Sequence, residues 1–240
     1  MVRANQSTGR GGTTETLPAP DSIVRQASGE QAADYIRRLI FDGELEPGTR
    51  LPQDEIARVL GVSRIPIREA VVALEREGWV TTELHRGAFI NPLDEDTIRD
   101  HYELFALIYG LAIRRAIARN DPEVIAKLAA LARQVAATED PSEVGRGAIA
   151  FHSTAVEAAR SPRIRVVLRA MSAMLPGPFF ELVPEAIPLE QRGLAAIVRH
   201  AKKGNADGAA EEYLRMFRLQ AEVVVELFRR RNKAINSRSA

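Results

Sequence analysis

LPQDEIARVLGVSRIPIREAVVALERE, residues 51–77, contains two helical patterns separated by a Gly-bearing turn. The first begins near Pro52, with Asp54 and Glu55 in its first turn, where the helix dipole favours negative charge. Ile56, Val59 and Leu60 fall at i, i+3 and i+4 and are expected to line one buried face. Gly61 stands where the chain leaves the helix, a place suited to the left-handed conformation that Gly adopts without a Cβ clash. Ser63 is then positioned as N-cap of the second helix, and Pro66 lies in its first turn, where the missing N–H has no intrahelical acceptor to lose. Ile67, Ala70, Val71 and Leu74 recur at helical spacing and face the first helix, while Arg64 and Arg68, four apart, share a face near the N-terminal end. This is the layout of a helix-turn-helix, whose second helix enters the major groove of DNA; Arg is the side chain that pairs bidentately with guanine O6 and N7.

Two β-prone runs follow, Trp79 to Thr82 and Ala88 to Ile90, joined by Glu83, Leu84, His85, Arg86 and Gly87 in a hairpin turn. Together they form a wing, with Arg86 at its tip placed to reach a phosphate or the minor groove and Gly87 allowing close backbone approach to DNA. Upstream, Gln31 to Phe41 forms a helix with Ala32, Ile36, Leu39 and Ile40 toward the core.

GVSRIPIREAVVALEREGWV followed by HRGAFI, with PGTRLPQDEIARVL before them, resembles the winged-helix domain of the GntR family of bacterial transcription regulators over residues 28–92. The long helical remainder is similar in layout to the FadR branch, whose C-terminal domain is an all-α bundle that binds effectors. The expected fold is mainly α: a disordered arm over 1–27, a winged helix-turn-helix over 28–92, and a six- or seven-helix antiparallel bundle over 93–235 that binds an effector and dimerises.

Composition agrees with two modest domains. The 240 residues can bury two cores, and the absence of Cys removes disulfides, thiolate metal sites and a Cys nucleophile. A net charge of +1 means that DNA affinity has to come from a local arginine cluster rather than an overall basic field. Within the winged-helix segment acidic residues outnumber basic ones, so weak binding to random duplex is expected. The arm is rich in Gly, Thr, Ser and Pro and lacks the apolar core of a secretory signal; its Arg3, Arg10 and Arg25 are expected to be solvated. No later apolar run is long enough to span a bilayer, and a cytoplasmic location is the expectation.

Asn91, Pro92 and Leu93 read as the interdomain hinge, with Asp94 or Asp96 capping the next helix. Helices are expected over Thr97 to Ala118, Pro122 to Ala137, Ser142 to Arg160 (capped near Asp140 or Ser142), Pro162 to about Met174, Glu190 to Lys203 and Asp207 to Arg231. The proline-rich Leu175 to Leu189 reads as an irregular connection or short helical turns.

The family resemblance implies a metal held in the bundle by an Asp and three His, with an Arg nearby that receives a carboxylate ligand. Phe151 and His152 match the family's FH helix. The acidic position one turn earlier falls at Ala148, the later His positions at Leu194 and Met216, and the Arg and Glu of the first bundle helix at Phe105 and Tyr109. One imidazole does not hold zinc, nickel or manganese, which need three or four convergent donors. The expectation is therefore a site without metal or other cofactor, walled by Phe105, Tyr109, Ala148, His152, Leu194 and Met216, that takes a largely apolar effector oriented by His152 and Tyr109. The alternative is that these side chains fill the core and the bundle only dimerises or recruits a partner.

An enzyme would need convergent acids, bases or ligands; the four His are scattered, and Glu157, Glu181 and Glu185 have no common placement. The expected activity is that of a non-enzymatic transcription regulator, a repressor that binds a palindromic double-stranded operator as a homodimer under small-molecule control, with no membrane partner. Arg64 and Arg68 are assigned to bases or adjacent phosphates, Ser63 to capping plus phosphate contact, Arg86 and Gly87 to the wing, and Arg50 to a phosphate. Effector binding is expected to change the spacing of the two winged helices by pivoting about the Asn91 hinge.

Overall fold

Two hydrophobic cores organise the chain, one under the helix-turn-helix and one inside the helical bundle. A computed structural model describes residues 22–171, 175 and 177–238, and the side chains of 29–171, 175 and 177–233. The N-terminal part runs α1 (Ser22–Phe41), α2 (Gln53–Leu60), α3 (Arg64–Arg76), β1 (Val80–Glu83) and β2 (Gly87–Ile90). Residues 22–27, assigned to the arm from sequence, are helical; the rest of the arm, with Arg3 and Arg10, lies outside the described residues. Gly29 serves packing within α1: a Cβ there would stand 3.0 Å from Glu69 Oε2 and 3.8 Å from Pro66 O, so α1 crosses α3 at this point. Once that crossing holds, extending α1 toward Ser22 adds a hydrogen bond per residue fixed.

Ile36, Ile67 and Leu74 are almost fully buried between α1 and α3, and Arg37 forks onto Glu77, Nε to Oε2 at 2.8 Å and Nη2 to Oε1 at 2.7 Å. Planar bidentate pairing of this kind fixes direction as well as distance, so it sets the angle at which α3 leaves the domain. Helix α2 ends as expected, with Gly61 left-handed at φ 64 and Val62 N–H donating to Ala57 O at 3.0 Å. That closure draws Ala57 inward. The buried face is therefore Ile56 and Ala57 with half-buried Leu60, and Val59, expected inside, is 55% exposed. Ser63 occupies the N-cap position of α3 in an extended conformation, but its side chain makes no capping bond.

The wing pairs β1 and β2 antiparallel, Val80 opposite Ile90 and Glu83 opposite Gly87. A third edge, unanticipated from sequence, comes from Thr49 to Leu51: Leu51 N–H donates to Ala88 O at 2.8 Å and Ile90 N–H to Thr49 O at 3.0 Å. This brings Arg50 beside the wing. Asn91 is not a free hinge, because its side chain donates to Gly78 O at 2.8 Å and accepts from Thr81 Oγ1 at 2.8 Å. Any pivot has to lie beyond it, at Pro92 and Leu93.

The bundle comprises α4 (Glu95–Ala118), α5 (Pro122–Ala136), α6 (Pro141–Ala158), α7 (Pro162–Ala170), the single turn α8 (Phe179–Leu182), α9 (Ile187–Lys202) and α10 (Ala206–Arg238). Residues 172–174 and 176, where the sequence reading ended one helix and began the connection, are outside the described residues. Helices α4 and α10 form its spine. They approach closely because Gly110 has no side chain: a Cβ there would sit 3.3 Å from that of Ala210. Ion pairs run along their outer edge, among them Arg99 with Glu222 at 2.8 Å, Arg114 with Asp207 at 2.8 Å and Arg229 with Glu95 at 2.6 Å. Such exposed pairs are screened by solvent, so the apolar seam carries the packing.

The two cores meet at one corner. Phe41, the last residue of α1, belongs to the bundle core, and Leu93 packs on both cores. Arg231 of α10 donates to Phe41 O and lies over the rings of Phe41 and Phe228, at 4.9 and 4.0 Å from their centroids.

Asp94, rather than Asp96, caps α4, accepting from Thr97 N–H at 2.8 Å. The hydrogen bonds of Thr97, its side chain first and then its backbone, hold the Asp94 carboxyl below its ordinary value. A carboxylate whose folded value is depressed stabilises above its unfolded pKa and loses that contribution as pH falls through the folded value. Asp94→Ala is expected to cost about 1 kcal/mol at neutral pH. Urea unfolding should show this difference shrinking as pH drops below about 4.

Candidate functional site

In the winged helix, the segment before α2 and the first turns of α3 gather three arginines. Arg50, Arg64 and Arg68 line one concavity of about 510 Å³, together with Leu51, Pro52, Asp54 and Ile67. Arg64 Nε is 2.8 Å from Asp54 Oδ1, with both side chains about 70% exposed (70% and 71%), so a phosphate can exchange for Asp54 at little cost. Arg68, one turn along α3, is exposed. Arg50 lies against Gly87: a Cβ on that glycine, whose φ is 105, would stand 2.7 Å from Arg50 Nε. Gly87 thus makes room for Arg50 within the protein, in addition to any approach to DNA. Arg86, on the turn of the wing, pairs with Glu83 and lies 5.2 Å from the Phe89 ring centroid. Ile65, 57% exposed on the first turn of α3, was not singled out from sequence; an apolar side chain beside Arg64 and three residues from Arg68 is suited to a thymine methyl.

The second site is a cavity of about 550 Å³ inside the bundle. Its walls are aromatic: Tyr102, Phe105 and Tyr109 from α4, Phe179 and Phe180 from α8, and Phe217 from α10, with Ala148 and Ile149 of α6 and Leu175 between them. Tyr109 stacks on Tyr213 and Phe217, with ring centroids at 5.6 and 5.7 Å and interplanar angles of 12° and 16°. Exposed Ser142, Arg146 and Glu181 stand at the rim.

The polar end of the cavity is deeply buried. Glu190 on α9 is 1% exposed and Gln220 on α10 is 2% exposed. Gln220 Nε2 donates to Glu190 Oε2 at 2.7 Å, and His152 Nε2 is 3.0 Å from Glu190 Oε1. Because the carboxylate oxygen accepts, Nε2 carries a proton, and Nδ1 lies 3.1 Å from the Tyr213 hydroxyl. Burial raises Tyr213 well above an ordinary phenol and Tyr109 to about 12, so both hydroxyls stay protonated. His101, at the aromatic wall and 4.7 Å from Phe105 between ring centroids, is pushed down to about 4 by burial and is neutral near pH 7.

The structure places Phe105, Tyr109, Ala148 and His152 on the cavity, as the sequence reading has them. Leu194 and Met216 are elsewhere. Leu194 is fully buried in the core, and Met216 lies over Gly193, where a Cβ would come within 2.2 Å of its sulfur. One helical turn away on each helix, Glu190 and Gln220 take their places. His152 has both ring nitrogens engaged, so it is not the free polar handle expected from sequence. The donor set does not fit a metal: His152 and Glu190 converge but bind each other. Among the described residues no group of three or more His, Cys, Asp or Glu is placed to hold one. Nor is any helix long and apolar enough to cross a membrane, among the described residues.

Known proteins match both halves. Residues 28–90 fit the model of the bacterial regulatory proteins of the gntR family, and residues 100–219 fit that of the FCD domain. An HTH-type transcriptional regulator of Mycobacterium tuberculosis is 34% identical over 207 residues, covering 84% of this chain and 83% of the relative. Among solved structures, Lar, which controls expression of the Listeria monocytogenes agr system, superposes with a TM-score of 0.60 at 22% identity, over 84% of this chain and 96% of that one. A GntR regulator from Rhodococcus sp. RHA1 does so with a TM-score of 0.50 at 26% identity, over 83% and 97%. With its winged helix, its arginine-lined concavity and its helical bundle, this chain belongs to the GntR family of DNA-binding transcription regulators, in the group that carries an FCD domain, and is not an enzyme.

Proposed function

We propose that the protein is a homodimeric repressor that leaves a two-fold symmetric operator when a small molecule occupies the bundle cavity. The observation that carries this reading is the cavity itself. It is a concave, mostly aromatic space of about 550 Å³ with a few convergent polar groups, in the size range of small-molecule sites. That open volume favours the effector reading over the filled-core alternative.

Dimerisation is supported by α4. Leu104, Leu107 and Leu111 recur at helical spacing and are 51%, 56% and 42% exposed, on a helix whose opposite side packs against α10. An apolar stripe of this kind is an interaction surface by default, and a two-fold axis there would set two copies of α3 facing successive major grooves. Leu107→Glu puts a charge in the middle of the stripe and leaves the core untouched. It is expected to give a folded monomer by sedimentation and to replace a symmetric footprint upstream of the regulated gene with none. A monomeric wild type, or a dimer unaffected by the change, contradicts this interface.

Arg68 supplies the sequence reading in this scheme. Arg68→Ala is expected to cost about 1–3 kcal/mol of operator binding and to relax base preference at one position in each half-site. A uniform loss across all sequences, with a shallower salt dependence, would assign it to a phosphate instead.

A further inference from the structure

The effector reading leaves the ligand's charge open, and the cavity's own electrostatics addresses it. A carboxylate at the inner end of a water-poor space is costly unless something offsets it. Around Glu190 the donors are the Gln220 amide at 2.7 Å and the His152 imidazole at 3.0 Å. These two bonds occupy one site on each oxygen, and a carboxylate has about four lone-pair sites, so Glu190 retains acceptor capacity. Among the described residues no Arg or Lys pairs with it. The charged groups elsewhere on the cavity, Arg146 and Glu181, are exposed at the rim and of opposite sign, and His101 is held neutral by burial.

The walls point the same way. The ring faces of Tyr109, Phe105 and Phe217 carry negative quadrupole charge, which attracts cations when water is excluded. A carboxylate head at this inner end would meet Glu190 with like charge, while Arg146 stands away from it at the rim.

We propose, building on the effector reading, that the cavity selects an organic cation: an amine, amidine or similar N–H-bearing head on an aromatic or alkyl body. The head lies toward Glu190 and Gln220, and the body stacks among Phe105, Tyr109 and Phe217. Glu190 is the selectivity determinant, and Gln220 and His152 position its carboxylate.

Three probes of matched shape test this by calorimetric titration of the full chain near neutral pH: 2-(1-naphthyl)ethylamine, 2-(1-naphthyl)ethanol and 1-naphthylacetate. The amine is expected to bind about tenfold tighter than the alcohol, and the acetate more weakly than either. Glu190→Gln should bring the amine down to the affinity of the alcohol. Equal binding of amine and alcohol, or tightest binding of the acetate, overturns the cation selectivity while the cavity remains a ligand site. No binding by any probe overturns both the selectivity and the effector reading. Should Glu190→Gln fail to fold, the order of the three probes on the unaltered protein decides the question by itself.

Discussion

A carboxylate buried in a helical bundle has to be met by hydrogen bonds, and those made to Glu190 tie together the helices that surround the cavity. Gln220 reaches it from α10 and His152 from α6, while Tyr213 of α10 fixes the imidazole from its other nitrogen. Tyr109 of α4 stacks on Tyr213 and so joins the same assembly. Apolar contacts would allow these helices to slide by a fraction of a turn with little loss. A hydrogen-bonded polar network does not, because each partner has one productive geometry and an unmade bond in the interior costs about 1–3 kcal/mol. The aromatic walls are therefore held apart as an open space rather than collapsing onto one another.

The same helices lead out of the bundle toward DNA. Helix α4 is capped by Asp94, directly after the Pro92 and Leu93 connection, and α10 ends beside α1, where Arg231 grips the carbonyl and ring of Phe41. Burial lowers that guanidinium to about 10, which is still charged at neutral pH. Phe41 is thus a residue of the winged domain anchored in the bundle core, while α1 carries the Arg37 fork that aims α3. Cavity, α10, Phe41, α1 and recognition helix form a chain of direct contacts. A shift of α10 on ligand binding would be passed to α3 through packed groups rather than through the Asn91 side chain, which is bonded into the wing.

Much of the DNA-binding half is legible in the sequence because its elements are short-range: Gly61 marks the turn, and Ile67, Ala70, Val71 and Leu74 set the buried face of α3. Val59 misleads because two turns of helix leave the face ambiguous, and the Gly61 closure brings in Ala57 instead. The third edge of the wing depends on the pairing of Leu51 with Ala88, which no local pattern announces. In the bundle, a single FH pair fixes α6 but not the register of α9 and α10. Moving four residues along a helix shifts the position by about 6 Å while keeping nearly the same face, so Leu194 and Glu190, or Met216 and Gln220, are hard to separate by spacing alone. A signal is nevertheless present. Glu190 is in line with Leu194, Ile197 and Ala201, and Gln220 with Tyr213, Phe217 and Val224: a charged and a polar residue on stripes otherwise apolar, which is how a buried polar network is written.

The most direct measurement is the long-range ¹H–¹⁵N correlation spectrum of the histidine side chains, in protein purified without added metal. The account predicts that His152 is the Nε2–H tautomer, with Nδ1 an unprotonated acceptor, and that its signals are the same before and after a chelator. Signals of a metal-coordinated imidazole nitrogen that vanish on chelation would contradict it, because His152 would then serve a metal rather than Glu190.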